Sequence, residues 1–147
     1  MTEPNETDIG DAGAAAAELR PFVFDVSSIV GRSNVEMMGD TPESQPLLEL
    51  LGRDLVTRVL VQTPTLCVYH ETAQPGEAVK PHRHGVFQVD YVLRGELWFG
   101  NQRVTAGMGF FTPDMLYAWR AGDDGAEWIE IHSGIGGIFT DRRQTTE

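Results

Sequence analysis

From residue 21 onward the chain is a succession of short runs rich in β-branched and aromatic residues, each soon cut off by glycine, proline or aspartate. Runs of this kind suit pleated, half-buried strands, and they leave no room for the long amphipathic helices of an α or α/β domain. FVFDVSSIV (22–30), DLVTRVLVQ (54–62), TLCVYHET (65–72), VFQVDYVLRG (86–95), FFTPDMLYAWRAG (110–122), AEWIEIHSG (126–134) and GIFTD (137–141) all read as strands. ELWFGNQRVTAG (96–107) reads as a hairpin turning at Gly100-Asn101. Asp123-Asp124-Gly125 reads as a loop, Met37 and Met38 fall in another, and only PLLELLG (46–52) suggests a helical turn. The expectation is an all-β antiparallel sandwich or small barrel.

Charge limits the partners. The 147 residues carry a net charge of −11. Such a surface repels phosphate backbones and anionic membranes, so neither nucleic acid nor membrane is an expected partner. Residues 1–18 hold Glu3, Glu6, Asp8, Asp11 and Glu18 with no lysine or arginine. Residues 1–20 are therefore expected to be a disordered acidic leader and 21–147 a single domain. The leader lacks the basic and apolar regions of a secretory signal, and the single cysteine, Cys67, rules out an internal disulfide. A cytoplasmic protein is expected.

The segment PHRHGVFQ (81–88) gathers two of the four histidines. Residues i and i+2 of a strand share a face, so His82 and His84 can close on one ion while Arg83 faces away. If the chain bends at Gly85 and continues as a strand, Gln88 returns to that face, with Asp90 next. Two nitrogens and one or two oxygens suit a divalent metal such as Fe2+, Mn2+, Zn2+ or Ni2+. The ordinary alternatives are an exposed histidine pair, a hydrogen-bonded barrel amide at Gln88, and a salt bridge from Asp90 to Arg94 or Arg120. His70 reads as a satisfied histidine and Cys67 as a small buried apolar residue.

The spacing Gly76, five residues, His82, one residue, His84, three residues, Gln88, six residues, Gly95 resembles the first motif of the cupin superfamily. Glutamine stands where most members carry glutamate. Gly107, five residues, Pro113 is similar to the opening of the second motif, but the family's last ligand falls at Ala118 and its asparagine at Gly122. The resemblance covers about residues 54–134. It implies a jelly-roll β-barrel with the site inside, and a homodimer.

The missing ligand has three candidate replacements. Asp90 is the nearest by alternation, and as a free carboxylate it could serve as general base. In AEWIEIHSG, Trp128, Glu130 and His132 share one face and Ile129 and Ile131 the other. If the polar face turns inward, His132 or Glu130 could complete the shell; the ordinary expectation puts the isoleucines inside. Tyr117 and the other aromatics are mostly barrel filling, although Asp90, His132 or Tyr117 could handle protons. The resemblance implies a metalloenzyme on a small carbonyl or enol substrate, with Fe2+ and dioxygenase-like oxidative cleavage first. Non-oxidative lyase, isomerase or cyclase chemistry, as in polyketide tailoring, is the alternative. A non-catalytic ligand-binding cupin and metal-free acid/base catalysis complete the set.

Overall fold

The computed structural model describes residues 19–142, so most of the expected leader lies outside them. Eight antiparallel strands carry the fold: β1 (Arg32–Ser33), β2 (Val56–Gln62), β3 (Cys67–Ala73), β4 (Ala78–His82), β5 (Gln88–Phe99), β6 (Gln102–Thr105), β7 (Gly109–Thr112) and β8 (Tyr117–His132). The all-β expectation holds. No helix among the described residues is long and apolar enough to cross a membrane.

The backbone of the architecture is the pair of long strands. β5 and β8 run antiparallel from Gln88↔His132 to Phe99↔Trp119. At one end β8 is also paired with β3, and β2 and β1 extend the sheet beyond it, while β7 borders β5. At the other end β8 pairs with β4 and β5 with β6. The register slips at Val92/Arg94 and again at Gly95/Leu97. Bulges of this kind bend strands, and here they let one strand pair serve both halves of a folded-over sheet.

The apolar core fills the space between the halves. Val92, Leu97, Ala121 and Trp128 are fully buried, and Trp119 meets Trp128 edge to face with ring centroids 5.0 Å apart. Two short helices close the barrel, α1 (Asn34–Met38) and α2 (Gln45–Leu51). α1 was not legible as a helix; Met38 lies in it and packs on the core. Ser33 caps α1 by accepting from the Glu36 amide, and the buried Asn34 amide donates to the carbonyls of Leu51 and Gly52 at the end of α2. Those carbonyls would otherwise have no partner.

Three strand expectations need correction. Residues 22–30 form no strand: Asp25 accepts hydrogen bonds from the amide and hydroxyl of Ser27 and from the Ser28 hydroxyl, which winds Val26–Ser28 into a 3-10 turn. A local side-chain partner competes with a ladder that has none to offer. Asp123-Asp124-Gly125 is not a loop, because β8 runs through it. Residues 137–141 form only an isolated bridge, Arg83↔Phe139.

Gly95 marks the bend in β5. Its φ is +73°, and a Cβ there would collide with the carbonyl oxygen of Gly125 in β8. Gly95→Ala is expected to lower stability by about 1–3 kcal/mol, read from urea unfolding.

Candidate functional site

The pairing of β3, β8 and β5 sets up rows of side chains. Cys67, His132 and Gln88 lie abreast; so do Tyr69, Glu130 and Asp90, and then Glu71, Trp128 and Val92. All three rows belong to the inner face: Asp90, Trp128 and Cys67 are fully buried, and Gln88, His132 and Glu71 nearly so. The expectation of isoleucines inside is overturned. Ile131 is exposed, and with Val89, Tyr91 and Phe111 it forms an apolar strip on the outer surface. The polar residues win the interior because each finds a partner there.

The histidines come together as the alternation argument requires. His82 ends β4 and His84 follows it; their rings touch edge to face with centroids 4.9 Å apart. The His132 ring lies 4.9 Å from that of His84, and Tyr117 packs on His82 at 4.7 Å. His82 Nδ1 bonds the Lys80 carbonyl at 2.7 Å, and His84 Nδ1 bonds the Gly137 carbonyl at 2.9 Å. A carbonyl accepts only, so both Nδ1 atoms carry the proton and both Nε2 atoms keep a lone pair. Burial holds both imidazoles below their ordinary range, so the rings stay neutral.

Gln88 is fixed in one orientation. Its amide nitrogen donates to Asp90 Oδ1 at 2.8 Å and to Glu130 Oε1 at 3.0 Å. Its Oε1 is thereby turned toward Tyr117, whose hydroxyl donates to it at 3.0 Å and lies 3.1 Å from His84 Nε2. This explains the glutamine. A carboxylate at 88 would add a third acidic group beside Asp90 and Glu130, whereas an amide supplies a hydrogen to each. His132 Nε2 holds the other oxygen of Glu130 at 3.2 Å.

The three inner carboxyl groups differ. Burial, then the Glu130 charge, pushes Asp90 and Glu71 well above the carboxylate range. Burial would raise Glu130 too, but the hydrogen bond from His132 holds it below that range. Asp90 has no arginine partner: Arg94 pairs with Glu127 and Arg120 lies over Trp98. Its Oδ2 is buried without any hydrogen bond.

A cavity of about 200 Å3 opens beside these groups, lined by Thr57, Tyr69, Glu71, His84, Glu130, His132 and the backbone of Gly136 and Gly137. Sequence reasoning missed Glu71, and took Tyr69 for barrel filling. The signal was present in TLCVYHET: Cys67, Tyr69 and Glu71 alternate onto one face, so a buried Cys67 implies an inward Glu71. His70, on the other face, bonds Glu127 through Nε2 at 2.7 Å, while its Nδ1 is buried without a partner. Arg83 faces away from the histidines, pairing with Asp114 and Asp141 and lying over the Phe139 ring.

The architecture has known counterparts. The polyketide cyclase RemF from Streptomyces resistomycificus superposes with a TM-score of 0.62 at 12% identity, over 86% of this chain and 89% of its own. An RmlC-like cupin from Ralstonia eutropha gives 0.60 at 13% identity, over 79% and 70% of the two chains. A cupin-like protein from Thermotoga maritima gives 0.52 at 21%, over 63% and 79%. The chain has the cupin fold. At these identities the likeness is one of fold; no family model and no curated protein matches the sequence.

Within the cupin barrel, the residue turned in where the second motif lacks its histidine is Tyr117, one position before Ala118. It sits opposite His82 in the β4–β8 register. Among the described residues no three His, Cys, Asp or Glu side chains are grouped to hold a metal ion. The donor chemistry of His82, His84 and Gln88 nevertheless fits a divalent cation. Two imidazoles are held by carbonyls through Nδ1, which leaves Nε2 as the donor atom, and an amide oxygen is aimed by two carboxyl groups, the outer-shell support that metal ligands ordinarily have; the Tyr117 hydroxyl lies between His84 Nε2 and that amide oxygen.

A carboxyl group whose folded value is raised binds its proton more tightly folded than unfolded. Its stabilising contribution is complete below the ordinary value of 3.8 and is lost as pH rises toward the folded value. Asp90→Asn, which keeps an acceptor for Gln88, is therefore expected to lose stability less steeply than the wild type in thermal melts run from about pH 4 to 8.

Proposed function

We propose that the chain is a metal-dependent enzyme that relocates protons on a small carbonyl or enol substrate, in lyase, isomerase or cyclase chemistry. The observation that carries this reading is the cavity itself. It brings carboxyl groups in two states, Glu71 pushed up and Glu130 held down, beside the histidine wall. Neighbouring acids driven apart in this way are the usual equipment for proton transfer.

His82, His84 and Gln88 would hold the cation, with Fe2+, Mn2+, Zn2+ and Ni2+ as candidates. A cation held there supplies Lewis-acid polarisation of a carbonyl or enol oxygen. Because all three holding residues are neutral, the site keeps the positive charge that favours an enolate. Tyr117 orients Gln88 through its hydroxyl, Asp90 and Glu130 set the amide, and His132 anchors Glu130. The shared fold with a polyketide cyclase is consistent with cyclase chemistry.

The neutral ligand set also suits Fe2+ and oxidative cleavage, and oxygen uptake separates the two readings. The untagged protein is expected to carry near-stoichiometric metal by plasma mass spectrometry, and His82→Ala/His84→Ala to carry none. Turnover of an enolisable ketone should stop on chelation and draw no oxygen at an electrode. Oxygen uptake coupled to turnover would establish oxidative cleavage instead. Turnover that survives chelation would make the site a metal-free acid/base centre, and tight binding without turnover a ligand-binding module.

The reading includes a homodimer formed over the outer apolar strip of Val89, Tyr91, Phe111 and Ile131. Removing such a strip from water favours association. Tyr91→Lys/Ile131→Lys is expected to sediment as a monomer where the wild type sediments as a dimer.

A further inference from the structure

We propose that Glu71 is the group that exchanges a proton with the substrate. The inference rests on the carbonyl-chemistry reading above and assigns its acid. Glu71 lies on β3, outside the segments that supply His82, His84, Gln88 and Tyr117, and its hydrogen bond runs to Thr57 on β2.

Place, burial and partners agree. Glu71 is 5% exposed overall yet lines the cavity, so what surface it keeps is turned to the cavity. Its hydrogen-bond partner is the Thr57 hydroxyl, which donates to Oε2 at 2.7 Å. Among the described residues no lysine or arginine is ion-paired with it. The groups around it are Thr57 on β2, Tyr69 on its own strand, Trp128, Glu130 and His132 on β8, His84 on the cavity wall, Asp90 on β5, and the more distant Glu77, whose charge also bears on it. None of these is a lysine or arginine. A buried carboxyl group without a cation is costly as a structural device, since an apolar or amide side chain would fill the same space. Burial, then the Glu130 charge, pushes the Glu71 carboxyl group well above the carboxylate range. A buried carboxyl group raised in this way and facing a small cavity is equipped as a general acid.

The step balances without a co-reactant. The carboxyl group of Glu71 gives its proton to the substrate's carbonyl oxygen from one oxygen atom and takes the α-carbon's proton on the other. The C–H bond breaks, the C=C and O–H bonds form, and Glu71 ends protonated as it began. Nothing is oxidised or reduced. Thr57 is a positioning residue, holding the carboxyl group through Oε2.

The test uses the metal-loaded full chain with hydroxyacetone in D2O, following loss of the α-proton signal by NMR. The wild type should accelerate exchange over buffer. Glu71→Gln should slow it at least about tenfold with metal content unchanged and the melting temperature equal or higher, because an isosteric amide removes a buried acid. The wild-type rate should fall as pH rises and Glu71 loses its proton, and Glu71→Gln should lack that limb. Thr57→Val should lower the rate several-fold with the metal retained. Exchange at the wild-type rate in Glu71→Gln overturns the assignment and leaves the carbonyl reading standing. A metal-loaded wild type that gives no exchange above buffer overturns the carbonyl reading and the assignment with it. A fall in melting temperature without a change in exchange would show Glu71 to be structural.

Discussion

Everything in the interior depends on the register between β5 and β8. These strands are paired so that Gln88 faces His132 and Asp90 faces Glu130. A slip of one residue would turn every one of those side chains out of the barrel and bring Val89 and Ile131 in. The hydrogen bond from the Gln88 amide to Glu130 exists only in the observed register, while the one to Asp90 lies within β5. The polar network and the strand pairing therefore specify each other, and the bulges near Gly95 absorb the mismatch farther along.

The network also explains how an acidic interior is tolerated. Three carboxyl groups, from Glu71, Asp90 and Glu130, lie in a barrel with no interior lysine or arginine paired to them. The solution is division of charge. Glu130 takes the negative charge beside His132 and the amide hydrogens, while Asp90 and Glu71 are pushed toward their neutral forms. A buried like-charge cluster is relieved by protonation more cheaply than by burying a counter-ion.

The all-β character and the convergence of His82, His84 and Gln88 were legible from spacing alone, because strand alternation is a local rule. Two things were not. The direction of the AEWIEIHSG strand was misjudged because hydrophobicity usually points inward; here the polar side has partners from β3 and β5, which lie far off in sequence. The 22–30 run was misjudged because β-branched content says nothing about Asp25, which captures the neighbouring serines. Glu71 was readable in principle from the phase of Cys67, but a lone glutamate in a strand carries no motif.

The far wall of the cavity is built of main chain. Gly136 and Gly137 line it, Gly137 exchanges hydrogen bonds with His84, and a Cβ on Gly136 would come within 2.7 Å of the His84 carbonyl oxygen. Beside Ile138, this stretch has no side chain to trim, and a Cβ added at Gly136 presses on His84 while one at Gly137 presses on the Phe139 ring. The shape of this pocket is thus tied to the aim of that imidazole. A lineage seeking to admit a bulkier substrate would find its freedom at Thr57 and Tyr69 on the β2 and β3 side and at Ile138, and would leave the two glycines alone.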